Sequence, residues 1–321
     1  MNIGIYGYGN LGKGVELAVE QQSDMELVGI FTRRPPLSVI SATGAPVYSA
    51  ADVMGFKSKI DVMIICGGSA SDLPEMTPRL AKNFNVIDSY DCHDNISAHF
   101  ASVDRAAKDG QKLALISCGW DPGLFSVMRS YASAVLPHGM TYTFWGRGVS
   151  QGHSDAVRRI RGVKDAREYT IPNENALSMI RSGQMPSLTK AEMHKRECFV
   201  VGDDNADFER IECEIKTMPG YFAGYDTAVT FITEDEMRKN HSEMMHGGTV
   251  IRTGTTDGGH THTMELDLRL SSNPEFTGSV LTAYARAVFR IANRGITGCV
   301  TVPDIPPSDL LPDGVGIFAL L

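Results

Sequence analysis

Apolar residues over the first 120 positions come in short runs, at Ile3–Tyr6, Leu27–Phe31, Val62–Cys66, Val86–Ser89 and Leu113–Ser117. Stretches with helical spacing, Leu11–Gln21, Leu73–Phe84 and Ile96–Lys108, separate several of them. Short apolar strands alternating with helices predict a doubly wound parallel sheet covered on both faces. Asp109-Gly110 closes the last of these helices with a glycine stop signal. After residue 121 the texture changes. Asp121-Pro122 opens a predicted helix running to Leu136, with Pro122 in a first turn where its missing N–H does no harm. Ile211–Thr217, Thr227–Thr233 and Thr261–Leu270 alternate with a period of two, which predicts half-buried strands of a mainly antiparallel sheet. Val280–Ala292 returns to helical spacing and stops at Asn293-Arg294-Gly295. The expected architecture is one α/β domain from residues 1–120 plus about 275–321, and a second, α+β domain from residues 121–274. The closing helix is expected to rejoin the first domain.

Composition narrows the partners. The 321 residues are 42% hydrophobic and 21% charged, ordinary for a chain with a real core. Lys and Arg total 30 against 38 Asp and Glu, a formal charge of −8, so neither nucleic acid nor an anionic membrane is an expected partner. An anionic ligand must be held by a local cluster of positive groups. The cysteines at 66, 92, 118, 198, 213 and 299 form no Cys-x-x-Cys pair and read as reduced thiols in a reducing compartment. No uncharged apolar stretch approaches the ~20 residues of a membrane-spanning helix, and the expectation is a soluble, cytoplasmic protein. His260 and His262 lack a third ligand, so no metal site is expected.

Gly7-Tyr8-Gly9-Asn10-Leu11-Gly12 matches G-x-G-x-x-G between a strand and a helix, the context in which that pattern binds a dinucleotide. The first glycine permits the turn, the second lets backbone approach a pyrophosphate, and the third brings helix and strand together. The domain is therefore expected to be of Rossmann type. The second strand ends in Thr32-Arg33-Arg34 rather than the acid that would accept hydrogen bonds from an NAD ribose. Guanidinium groups pair with a 2′-phosphate, so NADP is the expected cofactor. The small residues Gly67-Gly68-Ser69 after the Val62–Cys66 run leave room for the same ligand.

Two acids follow consecutive strands: Asp91 in Tyr90-Asp91-Cys92, and Asp121 in Trp120-Asp121-Pro122. Ligands of open α/β sheets bind at the carboxyl ends of strands, and two carboxylates there suit an ammonium. Asp121 has an equally ready alternative role as the cap of the helix predicted to start at Pro122. Arg196, in His194-Lys195-Arg196 ahead of an apolar strand, suits a carboxylate, with Thr170, His246 or Asn273 completing the hydrogen bonds. Taken singly, Arg196 reads as a surface residue and His246 as part of a flexible loop. Phe144-Trp145 reads as core, with a pocket wall as second choice.

These phrases, with Ser150-Gln151-Gly152-His153-Ser154-Asp155 and Gly119-Trp120-Asp121-Pro122-Gly123, resemble the meso-diaminopimelate dehydrogenase family from the first strand to Asn273-Pro274. The resemblance implies a homodimeric, NADP-dependent amino-acid dehydrogenase of lysine and cell-wall biosynthesis, with dimer-forming and substrate-binding elements in the second half. It implies reversible oxidative deamination of the D-centre of meso-2,6-diaminopimelate. Asp91, Asp121 and Trp120 would surround that centre, and Gln151 and Gly152 would contact the substrate backbone. Thr170, Arg196, His246 and Asn273 would hold the distal L-centre. Two other readings compete: a dehydrogenase of simpler D-amino acids, and a nicotinamide-binding sensor without turnover.

Overall fold

The computed structural model describes residues 1–69 and 71–321, in two units: Met1–Val127 with Pro274–Leu321, and Met128–Asn273. The first unit contains β1 (Asn2–Tyr6), α1 (Asn10–Glu20), β2 (Glu26–Thr32), β3 (Val47–Ser49), β4 (Val62–Ile65), α2 (Leu73–Ala81), β5 (Asn85–Asp88), α3 (Ile96–Asp109) and β6 (Leu113–Leu115). Helix α4 (Leu124–Val135) follows. The second unit holds β7 (Gly139–Trp145), β8 (Gly148–Val149), α5 (Gln151–Arg158), β9 (Val163–Pro172), α6 (Glu174–Arg181), α7 (Lys190–Met193) and β10 (His194–Gly202). It continues with α8 (Phe208–Thr217), β11 (Asp226–Phe231), α9 (Glu234–Asn240), β12 (His246–Thr255) and β13 (Thr261–Leu270). Helix α10 (Asn273–Asn293) and β14 (Gly298–Val300) return to the first unit.

The first unit is a seven-stranded parallel sheet in the order β14-β6-β5-β4-β1-β2-β3. Its apolar strand residues divide by face. Ile3, Ile5 and Ile64 pack with Val15 and Val19 of α1 and with Leu281, Ala285 and Val288 of α10. Met63 and Ile65 pack on the other side with Leu73 and Leu80 of α2 and Val103 and Ala107 of α3. Both faces are covered, which is why Val62–Ile65 is apolar throughout instead of alternating. The edge strands β3 and β14, three residues each, were too short to stand out in the sequence pattern.

The second unit has a four-stranded sheet, β11-β10-β9-β8, and a three-stranded antiparallel sheet, β13-β12-β7. Within the former only β10 and β11 run parallel. Several expectations are corrected here. Ile211–Thr217 is helical: Ile211 and Ile215, four apart, are both fully buried, and Arg210–Glu214 and Glu212–Lys216 pair at the same spacing. Asp207 caps that helix by accepting from the Arg210 N–H at 3.0 Å. Helix α4 begins at Leu124, so Asp121 and Pro122 lie in the turn before it rather than in its first turn. Gly110 does follow α3, but its φ is −86°; it is needed because a Cβ there would lie 2.3 Å from the Lys82 carbonyl oxygen. His246 starts a strand, and His194-Lys195-Arg196 lies inside β10.

Candidate functional site

The glycine turn links β1 to α1 and divides its labour as the pattern predicts. Gly7 has φ +98°, and a Cβ on it would meet the Cys66 carbonyl oxygen at 2.6 Å. A Cβ on Gly12 would lie 2.4 Å from the Gly7 carbonyl oxygen, so helix and turn touch backbone to backbone. Gly9 is different: a Cβ there would meet nothing within 4 Å. It stands at the N-cap of α1 without a side-chain cap, leaving the first N–H groups of the helix to an anion. Asn10 is exposed, Leu11 half-buried, and the Tyr8 ring buried in the core. The structure thus offers the open, uncapped cradle that a pyrophosphate needs.

A buried acid stabilises this turn from below. Glu16 of α1 accepts from Tyr8 Oη and Ser41 Oγ, from the N–H groups of Ala42 (3.1 Å) and Thr43 (3.0 Å), and from Thr43 Oγ1 at 2.7 Å. Burial alone would raise its pKa, but the donors from Ser41, Tyr8 and Thr43 outweigh burial and hold it at about 2. Burial and Glu16 in turn push the Tyr8 phenol up to about 12. The only sequence signal for Glu16 was an acid between Val15 and Val19 on the apolar face of α1.

Thr32 is buried and its Oγ1 accepts the Arg34 N–H at 3.1 Å. The Arg34 guanidinium donates to the Tyr8 carbonyl, which fixes it beside the glycine turn. Arg33 is largely exposed and pairs with Asp72 at 2.9 Å, while Asp72 also accepts the Gly68 N–H at 3.0 Å. That exposed pair is weak and readily exchanged for another anion. Gly67 is half-buried beside Asp72, and Ser69 Oγ accepts the Asp91 N–H at 3.2 Å.

Asp91 is exposed beyond the end of β5, and Asp121 is half-buried in the turn after β6, next to a buried Trp120 whose ring meets Phe125 edge-on at 5.3 Å. The strand ends that carry them are tied together by Asp88, which the sequence reading passed over. Its carboxylate accepts from the Tyr90 N–H (3.1 Å), the Ser117 N–H (3.0 Å) and Thr77 Oγ1 (2.7 Å), and meets His99 Nε2 at 2.8 Å.

The second unit gathers a different set. Arg196 is buried, not on the surface: only 6% of it is exposed. Its Nη1 donates to Glu168 Oε1 at 3.1 Å and to Thr170 Oγ1, and its guanidinium lies 4.4 Å over the Tyr225 ring. Its Nε–H is buried with no hydrogen-bond partner. The half-buried Trp145 stacks on His194 at 5.3 Å, and its backbone N–H donates to His194 Nε2 at 2.9 Å. Phe144 is fully buried core. His246 Nδ1 accepts the Gly247 N–H at 2.7 Å, and the Asn273 N–H donates to the Met244 carbonyl at 3.0 Å. Gln151 and Gly152 are exposed at the start of α5. The arrangement is a desolvated guanidinium, paired with one acid, that keeps an unspent donor, and such a group is chemically suited to a carboxylate.

Among the described residues no helix is long and apolar enough to cross a membrane. Comparison with known proteins identifies the family. The diaminopimelic acid dehydrogenase C-terminal domain matches residues 119–272. A meso-diaminopimelate D-dehydrogenase from Acetivibrio thermocellus is 54% identical over 315 residues, covering 97% of this chain and 94% of that protein. The solved Corynebacterium glutamicum DAP dehydrogenase, in complex with DAP, superposes with a TM-score of 0.93 at 46% identity, covering 100% of this chain and 98% of that one. An engineered D-amino acid dehydrogenase bound to NADP+ gives a TM-score of 0.89 at 44% identity, again over 100% and 98% of the chains. With near-full-length identity at this level, the chain belongs to the meso-diaminopimelate D-dehydrogenase family.

Proposed function

We propose that this protein catalyses the reversible, NADP-dependent oxidative deamination of the D-centre of meso-2,6-diaminopimelate to L-2-amino-6-oxopimelate and ammonia. The observation that carries the substrate is Arg196, a buried guanidinium with an unspent Nε–H. A D-amino acid without a second acid group would leave that donor unused. The family's shared activity supports the same reading.

NADP, when bound, supplies the acceptor for the hydride that leaves the substrate Cα. The protein's own part begins at the turn, where Gly7–Gly12 and the N-terminus of α1 hold the pyrophosphate, and Gly67, Gly68 and Ser69 line its path. Arg33 and Arg34, with Thr32, take the 2′-phosphate; Arg33 exchanges Asp72 for it. At the reacting centre the Asp91 and Asp121 carboxylates hold the ammonium, accept its proton and steady the positive imine. Water then adds to the imine carbon and ammonia leaves. Trp120 walls this centre, Trp145 lines the substrate, and Gln151 and Gly152 hold its backbone. Thr170, Arg196, His246 and Asn273 bind the distal L-centre, so remote binding energy decides which stereocentre is presented. The first unit is the nucleotide-binding domain in this reading. The second binds substrate and forms a homodimer, which sedimentation would detect.

The test is NADPH formation, followed by absorbance, with meso-diaminopimelate and with D-alanine. A preference of at least about 100-fold in kcat/KM for meso-diaminopimelate is expected. Equal turnover would favour the simpler D-amino-acid enzyme, and cofactor binding without turnover would favour a sensor.

A further inference from the structure

Glu168 takes no part in the chemistry above, yet it is fully buried against the group that matters most for substrate choice. In the β9–β10 register Thr170 faces Arg196 and Glu168 faces Cys198, so these four side chains share one face of the sheet. The backbone of Glu168 is fixed independently: its N–H donates to Ser154 Oγ at 2.9 Å, and its carbonyl accepts the Ser150 N–H at 3.0 Å. Its carboxylate therefore aims the Arg196 guanidinium from a rigid base.

Arg196 and Glu168 together are neutral. A second carboxylate on the same guanidinium would make two buried acids share one base, an arrangement in which both cannot stay ionised cheaply. A proton on Glu168 removes the excess charge and leaves its carbonyl oxygen still available to Arg196 Nη1. We propose that Glu168 is a positioning and specificity residue, which aims Arg196 and takes up a solvent proton when the substrate's distal carboxylate docks there. Selection of a dicarboxylic substrate then weakens as pH rises. The proposal rests on the reading of Arg196 as the distal carboxylate receptor.

The neighbouring groups leave this role to Glu168. From β10 it faces Arg196 and Cys198; His194 on the same strand, His153 from α5 and His246 from β12 lie within electrostatic reach of Arg196, and the Tyr225 ring, from the segment before β11, lies under its guanidinium. Asp155 and Arg158 of α5 are engaged with each other. Burial, then the Arg196 charge, lowers His153 and His194 to about 4; burial also lowers His246 and raises Cys198. His153 and His194 are therefore neutral imidazoles, and Cys198 a thiol, near neutrality. Burial pushes Glu168 up to about 7 against the pull of Arg196.

The experiment is calorimetric titration of the NADPH-loaded enzyme, in which the amino acid cannot be oxidised, from about pH 6 to about pH 8.5 in buffers of differing ionisation enthalpy. Above neutrality, binding of meso-diaminopimelate should take up close to one more proton than binding of D-alanine. Its KM should rise by up to about tenfold per pH unit, also relative to D-alanine. Glu168→Gln should abolish the extra proton and flatten that KM profile with little change in kcat. Arg196→Met should collapse the preference for meso-diaminopimelate by at least about 30-fold at every pH. If Arg196→Met leaves the preference intact, the reading of Arg196 fails and the proposal with it. If the preference collapses but the native enzyme takes up no extra proton, Glu168 lacks this role while Arg196 keeps its own. The native titration decides the matter even if Glu168→Gln fails to fold.

Discussion

In the function proposed above, the turn after β1 and the Glu168–Arg196 pair each receive an anion, one with backbone and the other with side chains. In the turn, recognition comes from N–H groups at an uncapped helix start, and Gly9 leaves the approach open. In the pair, recognition comes from a guanidinium held by an acid 28 residues earlier in the chain, away from water. A backbone site needs small residues at fixed offsets and tolerates exposure. A buried ionic site needs a partner from another strand, and removing either member leaves the other uncompensated.

The comparison can be pressed hardest at the turn itself. Gly12→Ala should cost about 2–4 kcal/mol of stability, because the new Cβ meets backbone that cannot yield. Gly9→Ala should cost less than about 1 kcal/mol while raising KM for NADP. Thermal melts with cofactor titrations would show whether packing and binding are separable; equal losses of stability would merge the two roles.

A smaller effect sharpens the cofactor side. Changing Arg33 and Arg34 together to alanine should raise KM for NADP about 10- to 100-fold, as expected for lost charge-assisted hydrogen bonds. KM for NAD should change by less than about threefold. Parallel losses for the two cofactors would count against recognition of the 2′-phosphate.

The smallest expected effect concerns pH. Glu16 is held at about 2, below its ordinary 4.5. A group with a lowered folded pKa stabilises the fold fully above its unfolded value, and that stability drains away as pH falls from about 4.5 towards about 2. Glu16→Gln should therefore make the acid limb of a melting-temperature profile shallower. An unchanged limb would mean that the loop at Ser41–Thr43 does not depend on the Glu16 charge.

Particular residues show where the pattern of the chain was readable. Val62–Ile65 announced a doubly covered strand, and Thr261–Leu270 a half-exposed one, because burial on two faces or one leaves different periods. Ile211–Thr217 misled because isoleucines four apart fit a period of two as well as a helical turn. Buried acids were harder. Glu168 is two positions before Thr170 on one strand, but nothing local says that this face is closed to water.

What the sequence determined by itself was the local physics: strand and helix periods, the glycine turn, and the two arginines where an acid would select NAD. Those properties depend on neighbours within a few residues. The tertiary structure alone decided that Arg196 is buried, that Glu168 opposes it, and that Asp88 binds two strand ends together. Each of these depends on which distant segment excludes water from a charge, and electrostatic strength is set by that exclusion.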